Sequence, residues 1–223
     1  MSLQELINHP MPIYSKKEEV FNTISHFVGI IIGVCVMCIS IYVGINNNVN
    51  SIPLFALLFF SFSIILLYSM STIYHGLRKD SLSKKVMRIV DHCTIYFLIA
   101  GTYTPICIIS LSKFFYGYII LILQWFFAII GIIINAIAIN KKTIEIISMI
   151  LYLITGWMLV FFPKAIMLLP SGSFFFILLG GIVYTIGSIL YGIGAKKKWF
   201  HSVFHVFCLV GTICQAIGIF LLI

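Results

Sequence analysis

The segment KKKWFHSVFHVFCLV (residues 196–210) sets His201 and His205 four positions apart in otherwise apolar chain. Residues at i and i+4 share one face of a helix, so the pair presents two imidazoles toward one point. Two further segments carry similar side chains among apolar neighbours: SMSTIYHGLRK, with Ser71 and His75 also four apart, and RIVDHCTIYF, with Asp91 and His92. Three imidazoles and a carboxylate suit Zn²⁺, which takes neutral nitrogen ligands in tetrahedral geometry and keeps a fourth position for water. The spacing by itself also describes hydrogen-bonded interior histidines. Haem ligation is a third reading, but haem takes axial histidines that usually lie on different helices and needs a slot between them. HxxxH on one helix with an aspartate fits that less well.

What these residues can do depends on where the chain puts them. Of 223 residues, 61% are hydrophobic and 9% charged, with a mean hydropathy of +1.15, whereas a soluble domain is about 25% charged. The composition is that of an integral membrane protein. A formal charge of +8 would suit nucleic acid only as a basic face on a soluble domain. Here the cations fall in short clusters between apolar runs, so nucleic acid is excluded and the fitting partner is the anionic inner leaflet. The six cysteines lie within apolar stretches, so no disulfide framework is expected, and the CxxC spacing of Cys35 and Cys38 falls mid-span, where small buried residues are the better reading. The polar, acidic start MSLQELINHPMPIYSKKEEV lacks the pattern of a signal peptide, so the first apolar run is expected to remain in the mature protein.

A bilayer core of about 30 Å needs about 20 apolar residues per helix. Seven runs meet that length, at 21–45, 53–77, 88–109, 114–139, 144–162, 174–194 and 200–223. They predict an all-α membrane protein, a seven-transmembrane helix bundle over residues 21–223, behind an N-terminal tail of residues 1–20. With the N-terminus inside, twelve lysines and arginines fall in inner segments and only Lys113 and Lys164 in outer ones. The expected orientation is therefore N-terminus cytoplasmic and C-terminus outside.

In that layout span two ends, and spans three and seven begin, at the cytoplasmic side. Ser71 and His75, Asp91 and His92, and His201 and His205 then share one depth. Each ionisable group costs on the order of 2.5–3.5 kcal/mol to insert, so their convergence points to one shared site. Asp91 and His92 point about 100° apart, so one of the two faces it. Glu19, Asn22 and His26 form a polar stripe on the first span at i, i+3, i+7, read as a structural floor of the bundle or as support behind the metal ligands, with His26 not itself a ligand. Gln124, Asn135 and Gln215 are expected to hydrogen-bond between helices, while Gly29, Gly33 and Gly187 mark close-packing faces. Glu145 sits where a helix N-terminus favours a carboxylate, and Pro105 is expected to kink span three and open a cavity. Trp199 and Phe200 inside, and Phe114, Phe115 and Tyr116 outside, read as interfacial anchors. His9, in the tail, carries no signal.

EEVFNTISH (18–26), the SxxxH of Ser71 and His75, DHCTIYFLIAGTYTP (91–105) and HSVFH (201–205), in this order and layout, resemble the haemolysin III family. That family is the bacterial branch of the progestin and adipoQ receptor (PAQR) superfamily, itself similar to the alkaline ceramidases. The resemblance covers essentially the whole chain. It implies a zinc ion held by His75, His201 and His205, with Asp91 near the metal through its water, Ser71 as the motif serine, and residence in the bacterial plasma membrane. Asn22, His26 and His92 take supporting places. The function expected is a zinc-dependent hydrolase of lipid amides or esters, ceramidase-like, using Asp91 and Ser71 on a membrane lipid. The alternative is a haemolytic, pore-forming or receptor-like membrane protein with a structural zinc.

Overall fold

The computed structural model of the chain describes residues 11–79, 81–138, 141–194 and 197–223. Among them there is no strand. His9 and Lys196 lie outside the described residues. The long helices are α1 (Lys16–Asn46), α2 (Ser51–Gly76), α3 (Leu82–Pro105), α4 (Phe115–Ala138), α5 (Lys142–Gly156), α6 (Ser171–Gly194) and α7 (Phe200–Phe220). Six of them, all but α5, are long and apolar enough to cross a membrane, so the chain is a multi-pass membrane protein. Successive helices from α1 to α5 pack as neighbours, α6 packs on α7, and α7 returns to α1 to close the bundle. The core runs through α2 and α3, where Phe60, Ile64, Tyr68 and Tyr96 are almost wholly buried, while isoleucines of every long helix but α3, and Leu82 and Val86 of α3, face outward.

Local chemistry sets the ends. Ser15 and Glu18 form a reciprocal capping box, and Glu18 and Glu19 lie in the positive first turn of α1, so this helix starts at Lys16, ahead of the apolar run that begins at 21. Ser81 caps α3 by accepting from the Lys84 amide at 3.1 Å. Pro105 ends α3, and a π-helical turn, Ile106–Ser110, continues it. The proline has no N–H to donate back, so the chain there departs from regular α-helix.

The fifth run differs from the expected span at 144–162. The helix stops at Gly156 after 15 residues, about 22 Å of rise, and a 3₁₀ turn (Met158–Phe161) and a short helical turn (Pro163–Ile166) follow. An interrupted helix frees backbone groups that a bilayer cannot satisfy. Neighbouring side chains take them instead. Gln124 Nε2 donates to the Thr155 carbonyl at 2.7 Å. The Tyr103 hydroxyl donates to the Gly156 carbonyl at 2.8 Å and accepts from the Leu159 amide at 3.2 Å.

The other mid-span amides do similar work: Asn135 binds Tyr152 and Ser148, and Gln215 Nε2 donates to the Ile177 carbonyl. Helices surrounded by lipid gain little from burying apolar area against one another, so close approach and hydrogen bonds carry association. The glycines are where that approach is closest. A Cβ at Gly29 would stand 2.4 Å from the Tyr68 ring, one at Gly33 2.8 Å from Ile65, and one at Gly187 3.0 Å from Phe207 of α7. Gly29→Ala should therefore destabilise the protein by about 1–3 kcal/mol through overpacking. Gly156→Ala, with nothing within 4 Å of the new carbon, should leave stability within about 0.5 kcal/mol. Thermal unfolding of the two variants in detergent reads the difference.

Candidate metal centre

The last turn of α2 carries His75 and the first two turns of α7 carry His201 and His205, and all three rings are buried. Their ligand atoms lie within 4.8 Å of one another. Nε2 of His201 is 3.4 Å from that of His75 and 3.1 Å from that of His205. A tetrahedral zinc with metal–nitrogen bonds of 2.0–2.1 Å spaces its ligand nitrogens about 3.3 Å apart.

The far sides of the rings decide which nitrogen is free. Glu19 Oε2 accepts from His75 Nδ1 at 2.7 Å. A carboxylate only accepts, so the proton sits on Nδ1 and Nε2 offers its lone pair. On His205, Nδ1 faces the Ser25 hydroxyl at 3.3 Å, and that hydroxyl gives its own proton to the Asn22 carbonyl at 3.0 Å. Nδ1 of His205 is therefore the donor and its Nε2 also carries a lone pair. Two lone pairs aimed at one point, with a third imidazole nitrogen beside them, form a donor set for a cation. The three side chains can hold a metal ion.

The first turn of α7 is tied to α1. Trp199, just ahead of the helix, adopts φ 68°, a left-handed conformation that costs a bulky side chain about 1–3 kcal/mol. Its amide donates to Glu18 Oε1 at 2.7 Å, and its ring meets Phe21 edge-on. Ahead of α1, the Tyr14 ring stacks on His201 with centroids 4.7 Å apart. Burial, with lesser contributions from Tyr74 and Tyr191, pushes the Tyr14 hydroxyl well above its usual range, so it is a neutral donor.

Of the neighbouring pair on α3, Asp91 lies against the buried Ser71 hydroxyl and near His75. His92 has its own partners: Nδ1 donates to the Arg88 carbonyl at 2.8 Å and lies 3.5 Å from Asp91 Oδ2, and Nε2 faces the Tyr191 hydroxyl at 3.4 Å. His26 stacks face to face on His205, centroids 3.6 Å apart and planes at 17°, and its edge partner is Tyr68. That stack runs the two rings alongside each other, and among the described residues neither His26 nitrogen nor the Asn22 amide has a hydrogen-bond partner.

His201, His205 and Asp91 line a cavity of about 210 Å³. It extends from Tyr14, Arg88 and Tyr191 past Leu98, Ile106 and Met149 to Trp157 and Ile177, and its lining is mostly apolar, with the charged groups Arg88, Asp91 and Glu145 at the histidine end. Some residues at that end were not distinguished in the sequence. Lys84 and Arg88 read there as part of a cytoplasmic positive cluster, yet both are 3% exposed. Lys84 pairs with Glu19 at 2.9 Å, and Arg88 pairs with Glu145. The available signal was the helical spacing of Lys84 and Arg88, four apart on one face of α3.

A family model described as haemolysin-III related matches residues 14–216. The chain is 32% identical over 201 residues to the hemolysin-3 homolog of Bacillus subtilis (strain 168), covering 90% of this chain and 92% of that one. It is 33% identical over 198 residues to hemolysin-3 of Bacillus cereus, covering 88% of this chain and 87% of the relative. With the helical bundle and its histidine cluster in place, the chain belongs to the haemolysin III-related family.

Proposed function

We propose that this protein is a zinc-dependent hydrolase of a lipid amide or ester, acting at the headgroup depth of the cytoplasmic leaflet in membrane lipid homeostasis. The observation that carries the reading is the convergence of three imidazole nitrogens beside Asp91 and Ser71 at the polar end of an apolar cavity. Zinc held by His75, His201 and His205 would supply Lewis acidity, which polarises a carbonyl and acidifies water.

The chain's own groups have separate tasks. Asp91 takes the proton of the attacking water and returns it to the departing amine or alcohol, so the proton count closes over one turnover. Ser71 offers a hydroxyl proton to the oxygen on which negative charge develops. The apolar walls at Leu98, Ile106, Met149 and Ile177 receive an acyl chain, which holds the linkage against the polar end and keeps bulk water out. With the basic end of the bundle in the cytoplasm, as the distribution of lysine and arginine favours, the site lies where the headgroup linkage of an inner-leaflet lipid lies.

The names of the curated relatives favour a second reading, in which the metal is a staple joining α2 to α7 and the activity is membrane lysis. Metal analysis and lipid turnover on the same preparations separate the two. About one zinc per chain is expected in the wild type by mass spectrometry, lost in His205→Ala and retained in Asp91→Ala, with ceramide or phospholipid turnover abolished in both. Ser71→Ala should keep its zinc and lose about 10²- to 10³-fold in kcat. Zinc without turnover, together with dye release from liposomes whose lipids stay intact, would establish the second reading. No zinc in the wild type would remove the metal from both.

A further inference from the structure

We infer that Glu19 is a positioning carboxylate for the metal centre, clamped between His75 and Lys84 so that three helices together aim the His75 lone pair. The inference rests on the reading that the histidine cluster binds a metal ion.

Glu19 stands on the first turn of α1, and each carboxylate oxygen has its own partner. Oε2 accepts from His75 Nδ1 at 2.7 Å and Oε1 accepts from Lys84 Nζ at 2.9 Å. Lys84, buried in the first turn of α3, also donates to the carbonyls of His75 and Leu77, at 3.2 Å each. An ammonium has three protons, and here there are three acceptors. The carboxylate is thus held by a cation that is itself seated on carbonyls at the end of α2, the helix that carries His75.

Two consequences follow for the imidazole. An acceptor fixed at Nδ1 keeps the proton there and stops ring rotation, so the free Nε2 stays directed at His201 and His205. A negative charge behind the ring also makes Nε2 a stronger donor to a cation. His205 has only neutral partners behind it, the Ser25 hydroxyl at 3.3 Å and the Asn22 backbone, so of these two ligands His75 is the one whose aim and basicity depend more on a charged partner. An ion pair serving α1 and α3 alone would not require the shorter of the two contacts to go to an imidazole. Glu145 offers the comparison: it pairs with Arg88 in the same bundle and does not contact the three histidines.

The test uses the purified full-length chain in detergent, with zinc affinity from chelator competition and the visible absorption of the cobalt(II)-loaded form. Glu19→Leu should lose about 10- to 100-fold in zinc affinity and move the cobalt bands. Glu19→Gln, near-isosteric and still able to accept from Nδ1, should lose less and move them less. Glu145→Gln, which also breaks a buried ion pair, should leave affinity and spectrum unchanged even where it lowers Tm. Unchanged affinity and spectrum in both Glu19 variants would overturn the inference while leaving the metal site intact. Equal losses in Glu145→Gln would overturn it in favour of general destabilisation. A wild type that binds neither zinc nor cobalt would overturn the metal reading itself, and this inference with it.

Discussion

A bilayer core supplies no water to a stray polar group, so an imidazole, a carboxylate or an interrupted backbone in this chain is costly unless it finds a partner inside the protein. That constraint organises the end of the bundle that carries the histidines. Lys84 is buried on three oxygens, Arg88 on Glu145, and His75 on Glu19. Each pairing ties one helix to another. The same contacts that offset the cost of burying charge therefore also fix the helices whose side chains make the site.

The backbone obeys the same rule at the break in α5. Stopping the helix at Gly156 exposes carbonyls at a depth where solvent cannot reach them, and Tyr103 and Gln124 cover them from α3 and α4. The break then lines the far part of the cavity through Gly156 and Trp157. Irregular backbone within a membrane protein is sustained where it is buried or borders a cavity, and here it does both. On the opposite side α1 lies against α2 through Gly29 and Gly33, close enough for Tyr68 to reach both the His26 edge and the Thr212 hydroxyl at 2.7 Å. Small residues thus set the distance at which the polar partners behind the histidines can meet.

Much of this is legible in the sequence. Hydropathy separates the apolar runs, and period 3.6 puts His201 with His205 and Ser71 with His75 on shared faces. Counting inward from the basic clusters places those faces, and Asp91, at one depth. The stripe of Glu19, Asn22 and His26 was visible for the same reason. Less legible was the fate of Lys84 and Arg88: lysine and arginine next to apolar runs look the same whether they reach water or turn inward to a carboxylate.

The sequence by itself determined the class of the protein, the common level of Ser71, His75, Asp91, His201 and His205 along their helices and the pairing of residues within each helix, because these depend on composition and on the regular rise and turn of one helix. Only the tertiary structure decided how the helices are rotated against one another. That rotation puts Asp91 beside Ser71 while His92 turns to Tyr191, lays His26 flat against His205, and brings Glu19 of α1 behind His75 of α2. It also decided that the fifth run breaks at Gly156, because a break is tolerable only where neighbours can satisfy it. Azimuth and reach between helices come from glycine contacts, ion pairs and hydrogen bonds, the last spanning up to 181 positions of sequence, as between Glu18 and Trp199, and no local period encodes them.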